Sequence, residues 1–380
     1  MTRLLVIQPY VPHYRAAFFD RLRSDLSSEG VDLILAAGRA SGDQASRGDD
    51  VTTEKADWQL AERRARFGNV EINARHIGRL LESVKPDFII AEQAIKNLDT
   101  WRLLLSRSRN TRTALWGHGA LFSQSTNFVS EHVRRFQFHH ANWFFTYTPA
   151  GAEYLKHNGY PDNRITTLFN SSDTADLQKR ISQVEEQESA AFRKQYDLTD
   201  GHTGLFIGGL DRRKGIDFLL ETAAEVGKVV PEFRLLIAGS GADESKVRAA
   251  QESGTPVRLL GPTEGMKKAL AFANCDFVLI PEWVGLAAVD ALAAGRPVIT
   301  TDHPSHAPEF DYLVAQQSKI QTSHEVRAYA SAIAHLTTDP DRLQRLQAFC
   351  ANESKRFSIE KMSQNFTDGI NRWRASPGRH

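Results

Sequence analysis

The sequence predicts an α/β protein built from two similar domains, and three observations carry that prediction. A chain of 380 residues is longer than one ordinary hydrophobic core organises. Short apolar runs of strand length alternate with segments of helical spacing along its whole length. The alternation is interrupted by a charged stretch, ISQVEEQESAAFRKQYDL (181–198), and then restarts. Each half therefore reads as a parallel sheet wrapped by helices. The division falls at residues 1–172 and 173–359, followed by a helical stretch at 360–380.

In the first half the strand candidates are LLVIQ (4–8), VDLILAA (31–37), DFIIAE (87–92), TALWG (113–117), WFFTY (143–147) and ITTLF (165–169). GRASGDQASRGDD (38–50), rich in glycine and polar residues, reads as a mobile loop. The turn QPYVPHYRAAFF (8–19) contains two prolines, which stiffen it. Its Tyr10, His13, Tyr14 and Arg15 combine apolar faces with polar tips and suit the lining of a sugar or lipid-phosphate acceptor site. They read equally well as a packed turn with polar groups at the surface. His118 lies between glycines at a strand end, in WGHG. ERRARFGNVEINARHIGRLL (62–81) interleaves Arg63, Arg64, Arg66, Arg75 and Arg79 with apolar residues. It reads as a solvated helix face or as a patch for peripheral contact with an anionic membrane.

The second half repeats the pattern in TGLFIGG (203–209), FRLLIAG (233–239), PVRLLG (256–261), DFVLIP (276–281) and PVITT (297–301). Open α/β sheets bind ligands beyond the carboxyl ends of their strands, so two such sheets imply a cleft between them. FIGGLDRRKGIDFLL (206–220) is a strand, a glycine pair at Gly208 and Gly209, a basic turn and a helix, with Lys214 where the helix begins. Helix-start amides beside an ammonium make a phosphate site, although Arg212, Arg213 and Lys214 also fit a solvated basic turn. The stretch is not a Walker A loop, and AGSGADES (238–245) matches only the opening of a dinucleotide fingerprint. In PEWVGLAAVDALAAGRPVI (281–299), Glu282 follows a strand and Asp290 falls in the first turn or so of the next helix, which Gly295 ends.

Composition sets limits on the rest. A charged fraction of 24% and a net charge of +1 provide no field for nucleic acid. Cys275 and Cys350 have no spacing for a zinc or redox pair, which favours a reducing compartment. No apolar run has the length of a signal peptide or a spanning helix, so a cytoplasmic protein is expected. The one D-x-D match, DPD (339–341), opens a helical pattern and reads as a capping turn, so no metal site and no cofactor are expected.

The ordered series GGLDRRKG, IAGSG, VRLLGPT and PEWVGLAAVDALAAGRPVI resembles the donor domain of the retaining family 4 glycosyltransferases, across roughly residues 200–310. A thinner likeness extends back through 147–173. The resemblance implies a GT-B architecture of two Rossmann-like domains facing across a cleft, with the terminal helix crossing back onto the first. It implies a nucleotide-diphosphate sugar donor, UDP- or GDP-linked, and a glycan, lipid-linked or small-molecule acceptor. The acids match the family's E-x7-E motif as E-x7-D. Glu282 would contact the donor sugar, Asp290 the ribose, the Gly285–Leu286 amides the diphosphate, Lys214 the leaving group and His118 the sugar, with Leu260 near the base. The family's arginine in the turn is replaced by Gly209, a gap that Arg212 or Arg213 would fill. A binding protein without turnover, or an epimerase or hydrolase of the same architecture, is the alternative.

Overall fold

The structure, a computed structural model, describes residues 1–41, 49–67, 70–106, 111–119 and 128–377. Most of the 38–50 loop, residues 42–48, and the last three residues lie outside that set. The chain divides into unit 1, Met1–Asn170 with Ile359–His380, and unit 2, Ser171–Ser358.

Unit 1 contains β1 (Thr2–Gln8), β2 (Val31–Ala37), β3 (Trp58–Gln59), β4 (Arg63–Phe67), β5 (Val70–Ala74), β6 (Phe88–Glu92), β7 (Arg112–Gly117), β8 (Trp143–Thr146) and β9 (Ile165–Thr167). Among the described residues seven of these form one parallel sheet in the order β3-β2-β1-β6-β7-β8-β9. Strands buried on both faces need continuous apolar sequence, which LLVI and FIIA provide. The helices His13–Ser28 and Ile359–Ala375 share a core with β1, β2, β7 and β8. There Phe145 stacks on Phe366 with ring centroids 4.5 Å apart.

The 62–81 stretch is not a helix face. β4 and β5 form an antiparallel hairpin, and only Gly78–Val84 is helical. Period-two placement of Val70 and Ile72 favours extended chain, and Arg66 and Glu71 stand opposite one another in its register. Arg75 leaves the surface altogether: at 4% exposure it pairs with Glu62 at 2.9 Å and Glu92 at 2.8 Å.

Unit 2 contains β10 (Thr203–Ile207), β11 (Arg234–Ala238), β12 (Val257–Gly261), β13 (Phe277–Leu279), β14 (Val298–Thr301) and β15 (Lys319–Thr322), all parallel, in the order β12-β11-β10-β13-β14-β15. The charged stretch that interrupts the sequence pattern becomes the helix Glu186–Tyr196 of this unit, opened by a capping box between Glu185 and Glu188. Winding reverses between β10 and β13, so the turns after those two strands flank the crevice where open α/β sheets take ligands. Beside that crevice the main chains of neighbouring turns are zipped together. Gly208 N–H donates to Ala238 O at 3.0 Å and Leu210 N–H to Ser240 O at 2.9 Å. A Cβ on Gly239 would sit 1.9 Å from Gly208 O. The AGSG glycines therefore serve close backbone approach.

Candidate active site

After β10 the chain passes Gly208 and Gly209 into a single 3-10 turn, Arg212–Lys214, and then the helix Ile216–Val229. Asp211 caps the turn by accepting from the Arg213 amide at 2.9 Å. The same carboxylate holds the Arg213 guanidinium at 3.1 and 3.2 Å, over the Trp283 ring. A side chain at Gly209 would press on Asp211 Oδ2, 3.3 Å from its Cβ, which accounts locally for a glycine there. Lys214 turns inward, and its ammonium donates to Trp283 O at 3.1 Å. That bond joins the basic turn after β10 to the acidic loop after β13.

Glu282 stands in that loop, followed by Trp283 in the left-handed region at φ 50°. Val284 is bracketed: its amide donates to His306 Nδ1 at 3.2 Å and its carbonyl accepts from Ala307 N–H at 2.9 Å. His306 Nε2 faces Thr301 O at 2.9 Å, and burial pushes the His306 pKa down, so a neutral ring serves as the loop's buttress. Glu309, just beyond it, is buried at 4% exposure.

Glu282 Oε1 accepts from His324 Nε2 at 3.0 Å, and His303 Nε2 lies 3.8 Å from Oε2. His324 in turn stacks on Phe218 at 4.5 Å. These three side chains come from the turns after β13, β14 and β15, and each brings a ligand atom within 4.8 Å of the others. Two imidazoles and a carboxylate are a donor set that suits zinc. In the tautomer drawn by its contacts, however, His303 Nδ1 accepts from the Ser305 amide at 3.3 Å. That contact favours the tautomer with the proton on Nε2, which lies 3.8 Å from Glu282 Oε2, beyond hydrogen-bond distance. Neither His303 nor His324 was a sequence candidate.

Asp290 lies in the first turn of the helix Ala287–Ala293, as its position in the sequence predicts, and is 8% exposed. Its Oδ1 accepts from Ser172 Oγ at 2.8 Å and its Oδ2 from Lys268 Nζ at 2.8 Å. Gly285 and Leu286 form the turn that enters this helix. Near the proposed base position, Leu260 O accepts from Lys267 Nζ, and Leu259 N–H donates to Gln251 at 2.9 Å. Ser172 and Lys268 are isolated residues without a motif, and sequence reading missed both.

In unit 1, of the four acceptor candidates, Tyr10 (6%) and Arg15 (6%) are buried, while His13 and Tyr14 are exposed. Arg15 donates to Asn170 Oδ1 at 3.1 Å and lies over the rings of Trp116 and Tyr147. His118 follows β7, with its ring 4.7 Å from that of Tyr147. Crowding by the chain removes water from its imidazole and pushes its pKa down to about 4, with Arg15 and Arg134 adding repulsion. His118 nevertheless keeps an exposed surface, which weakens the desolvation. The flanking guanidiniums act in the same direction, so the ring is neutral near pH 7.

Residues 201–339 match the family model "Glycosyl transferases group 1". Among solved structures, HepE of Anabaena in complex with UDP superposes with a TM-score of 0.70 at 14% identity, over 98% of this chain and 100% of that one. Sucrose-phosphate synthase of Thermosynechococcus elongatus gives a TM-score of 0.71 at 15% identity, over 99% and 100%. The fold is GT-B. Its unit 2 carries the group 1 glycosyl transferase match, as the ordered motifs implied. The phosphatidyl-myo-inositol mannosyltransferase of Mycobacterium leprae is 37% identical over 109 residues, which cover 27% of this GT-B chain and 29% of that protein. The D-inositol 3-phosphate glycosyltransferase of Thermobispora bispora is 28% identical over 203 residues, 48% and 47% of the two chains. The matches thus span between about a third and a half of those relatives. No helix among the described residues is long and apolar enough to cross a membrane.

Proposed function

We propose that this protein is a retaining glycosyltransferase that moves a sugar from a nucleotide-diphosphate donor to a glycan, lipid-linked or small-molecule acceptor without a metal ion. The observation that carries the reading is the Lys214–Trp283 bond, which ties the basic turn after β10 to the loop that carries Glu282, at the switch point of the unit 2 sheet. In this reading Lys214 neutralises the diphosphate as it leaves, with Gly208, Gly209 and the Gly285–Leu286 turn letting its oxygens approach backbone amides. Glu282 accepts from sugar hydroxyls and its charge favours the cationic sugar of the transition state. Asp290 serves the ribose, and Arg213 supplies the positive charge that Gly209 cannot. The bond from the anomeric carbon to phosphate oxygen breaks while the acceptor oxygen bonds to the same face. The departing phosphate takes the acceptor proton, so no protein nucleophile is needed. The acceptor is assigned to unit 1, where His13 and Tyr14 are exposed beside buried Tyr10 and Arg15, and His118 serves the donor sugar as a neutral hydrogen-bonding group. Names of similar proteins support the substrate class: HepE was solved with UDP and with UDP-glucose.

The test is a thermal-shift panel of UDP- and GDP-sugars, followed by transfer assays with the best donor in excess EDTA and the product anomer read by NMR. An inverted product, or activity abolished by EDTA and restored by Mn²⁺, overturns the mechanism. A second reading, binding without turnover or an epimerase or hydrolase, is favoured by Asp290 being engaged by Ser172 and Lys268. Donor affinity with no transfer to any acceptor would select it.

A further inference from the structure

Unit 1 has a second concave site, whose lining includes neither His118 nor Arg15. A cavity of about 740 Å³ lies at the β3 edge of the sheet, bounded by β3, the start of β4, the segment after β5, the first turn of helix Gly78–Val84 and Arg102. Its charged lining is Arg63, Arg75, Arg79 and Arg102, with Glu82 the one acid and His76 beside them.

The arginines are of two kinds. Arg75 is consumed by the fold through Glu62 and Glu92, yet its buried Nε lacks a hydrogen-bond partner among the described residues. Arg63, Arg79 and Arg102 are exposed, and no hydrogen bond or ion pair engages any of them among the described residues. Elsewhere several guanidiniums are tied to acids, as Arg21 is to Asp25, Arg64 to Glu62 and Glu71, and Arg248 to Glu244. Like charges left together around one cavity repel each other, and a shared anion removes that repulsion. Trp58, 37% exposed, and buried Leu60 give the same cavity an apolar wall.

We infer that this cavity binds a phosphoryl group carried on a larger organic moiety. Three guanidinium forks exceed what one carboxylate accepts, whereas a phosphate or diphosphate offers at least three oxygens and about two negative charges. Trp58 packs against the moiety that bears it. The chemistry is shared by a soluble phosphate ester and a phospholipid headgroup, and it stands independently of the transferase reading.

The experiment titrates inorganic pyrophosphate into the full chain at low ionic strength, by calorimetry, for the wild type and for Arg63→Gln/Arg79→Gln/Arg102→Gln. A unit 2 phosphate site contributes equally to both and cancels. The wild type is expected to take up one more equivalent, and each single substitution to weaken that equivalent about tenfold or more. Arg248→Gln is the control and should match the wild type. Because all three arginines are exposed, folding is expected to survive, and circular dichroism checks it; if the triple variant misfolds, the single variants carry the test. Vesicles of phosphatidylglycerol against phosphatidylcholine separate the two sources. Salt-sensitive, arginine-dependent binding to the anionic vesicles identifies a headgroup, and pyrophosphate uptake without vesicle binding identifies a soluble ester. Equal stoichiometry and affinity in wild type and variants overturns the site.

Discussion

Gly215 lies directly beneath the carboxylate of Glu282: a Cβ on Gly215 would stand 2.8 Å from Glu282 Oε1. The glycine is also in the left-handed region, at φ 64°. Both facts predict that Gly215→Ala is harmful at a position that has no chemistry of its own. The left-handed conformation alone costs an L-residue about 1–2 kcal/mol, and the contact also displaces Glu282. Urea unfolding should show that loss of stability, and donor turnover should fall with it. Wild-type kinetics in the variant would mean that the close approach is not used.

Lys214→Ala should slow sugar transfer about 10- to 100-fold, the loss expected for one charge-assisted hydrogen bond to the leaving group. The ammonium donates to a backbone carbonyl across the crevice, so a small loss of stability accompanies it. Steady-state kcat/KM, with unfolding measured in parallel, separates the two effects. An unchanged kcat/KM removes Lys214 from the reaction.

Glu282→Gln and Asp290→Asn should fail differently. Glu282→Gln keeps shape but loses charge beside the reacting carbon, lowering kcat more than it raises donor KM. Asp290→Asn should weaken nucleoside-diphosphate affinity. It should also destabilise the fold by about 1 kcal/mol, because a partly buried ammonium partner at 2.8 Å loses its counter-charge. Lys268→Met in the same background should recover stability without recovering affinity. Nucleoside-diphosphate calorimetry and kcat for each variant decide the assignment, and the reverse pattern exchanges the roles.

His118 makes a pH prediction. Between its ordinary pKa of 6.5 and its folded value of about 4, the unfolded chain binds a proton that the folded ring refuses. Stability therefore falls as pH drops through that window and is free of this penalty above it. His118→Gln should flatten that part of the stability–pH curve, measured by urea unfolding from pH 7 to pH 4. A slope identical to that of the wild type would show that the ring titrates normally.

The sequence made the repeating strands legible because parallel strands buried on both faces are apolar throughout, as DFVLIP and FRLLIAG are. β15 escaped notice because KIQT is polar by composition, and its Lys319 is accommodated over the Phe310 ring at 3.5 Å, a contact no local pattern announces. The β4–β5 hairpin was misread because frequent arginines mimic a solvated helix, whereas pairing with a neighbouring strand decided the conformation. Lys214, Glu282 and Asp290 were legible because a motif with fixed spacing contains them. Lys268, Ser172, His303 and His324 were not, because each reaches the site from a different loop or helix, and only the folded chain brings them together.

The terminal helix Ile359–Ala375 gives Met362, Phe366, Ile370 and Trp373 to the core of a unit whose other residues lie before Ser171. During synthesis, that makes unit 1 the last to be completed although it is the first to emerge. Its sheet must wait, with the apolar surface of helix His13–Ser28 uncovered, while all of unit 2 is translated. Unit 2 has no such wait, since it is contiguous. A premature stop shortly before Ile359 would thus leave a complete unit 2 attached to an unfinished unit 1, a chain suited to capture by chaperones rather than to partial activity.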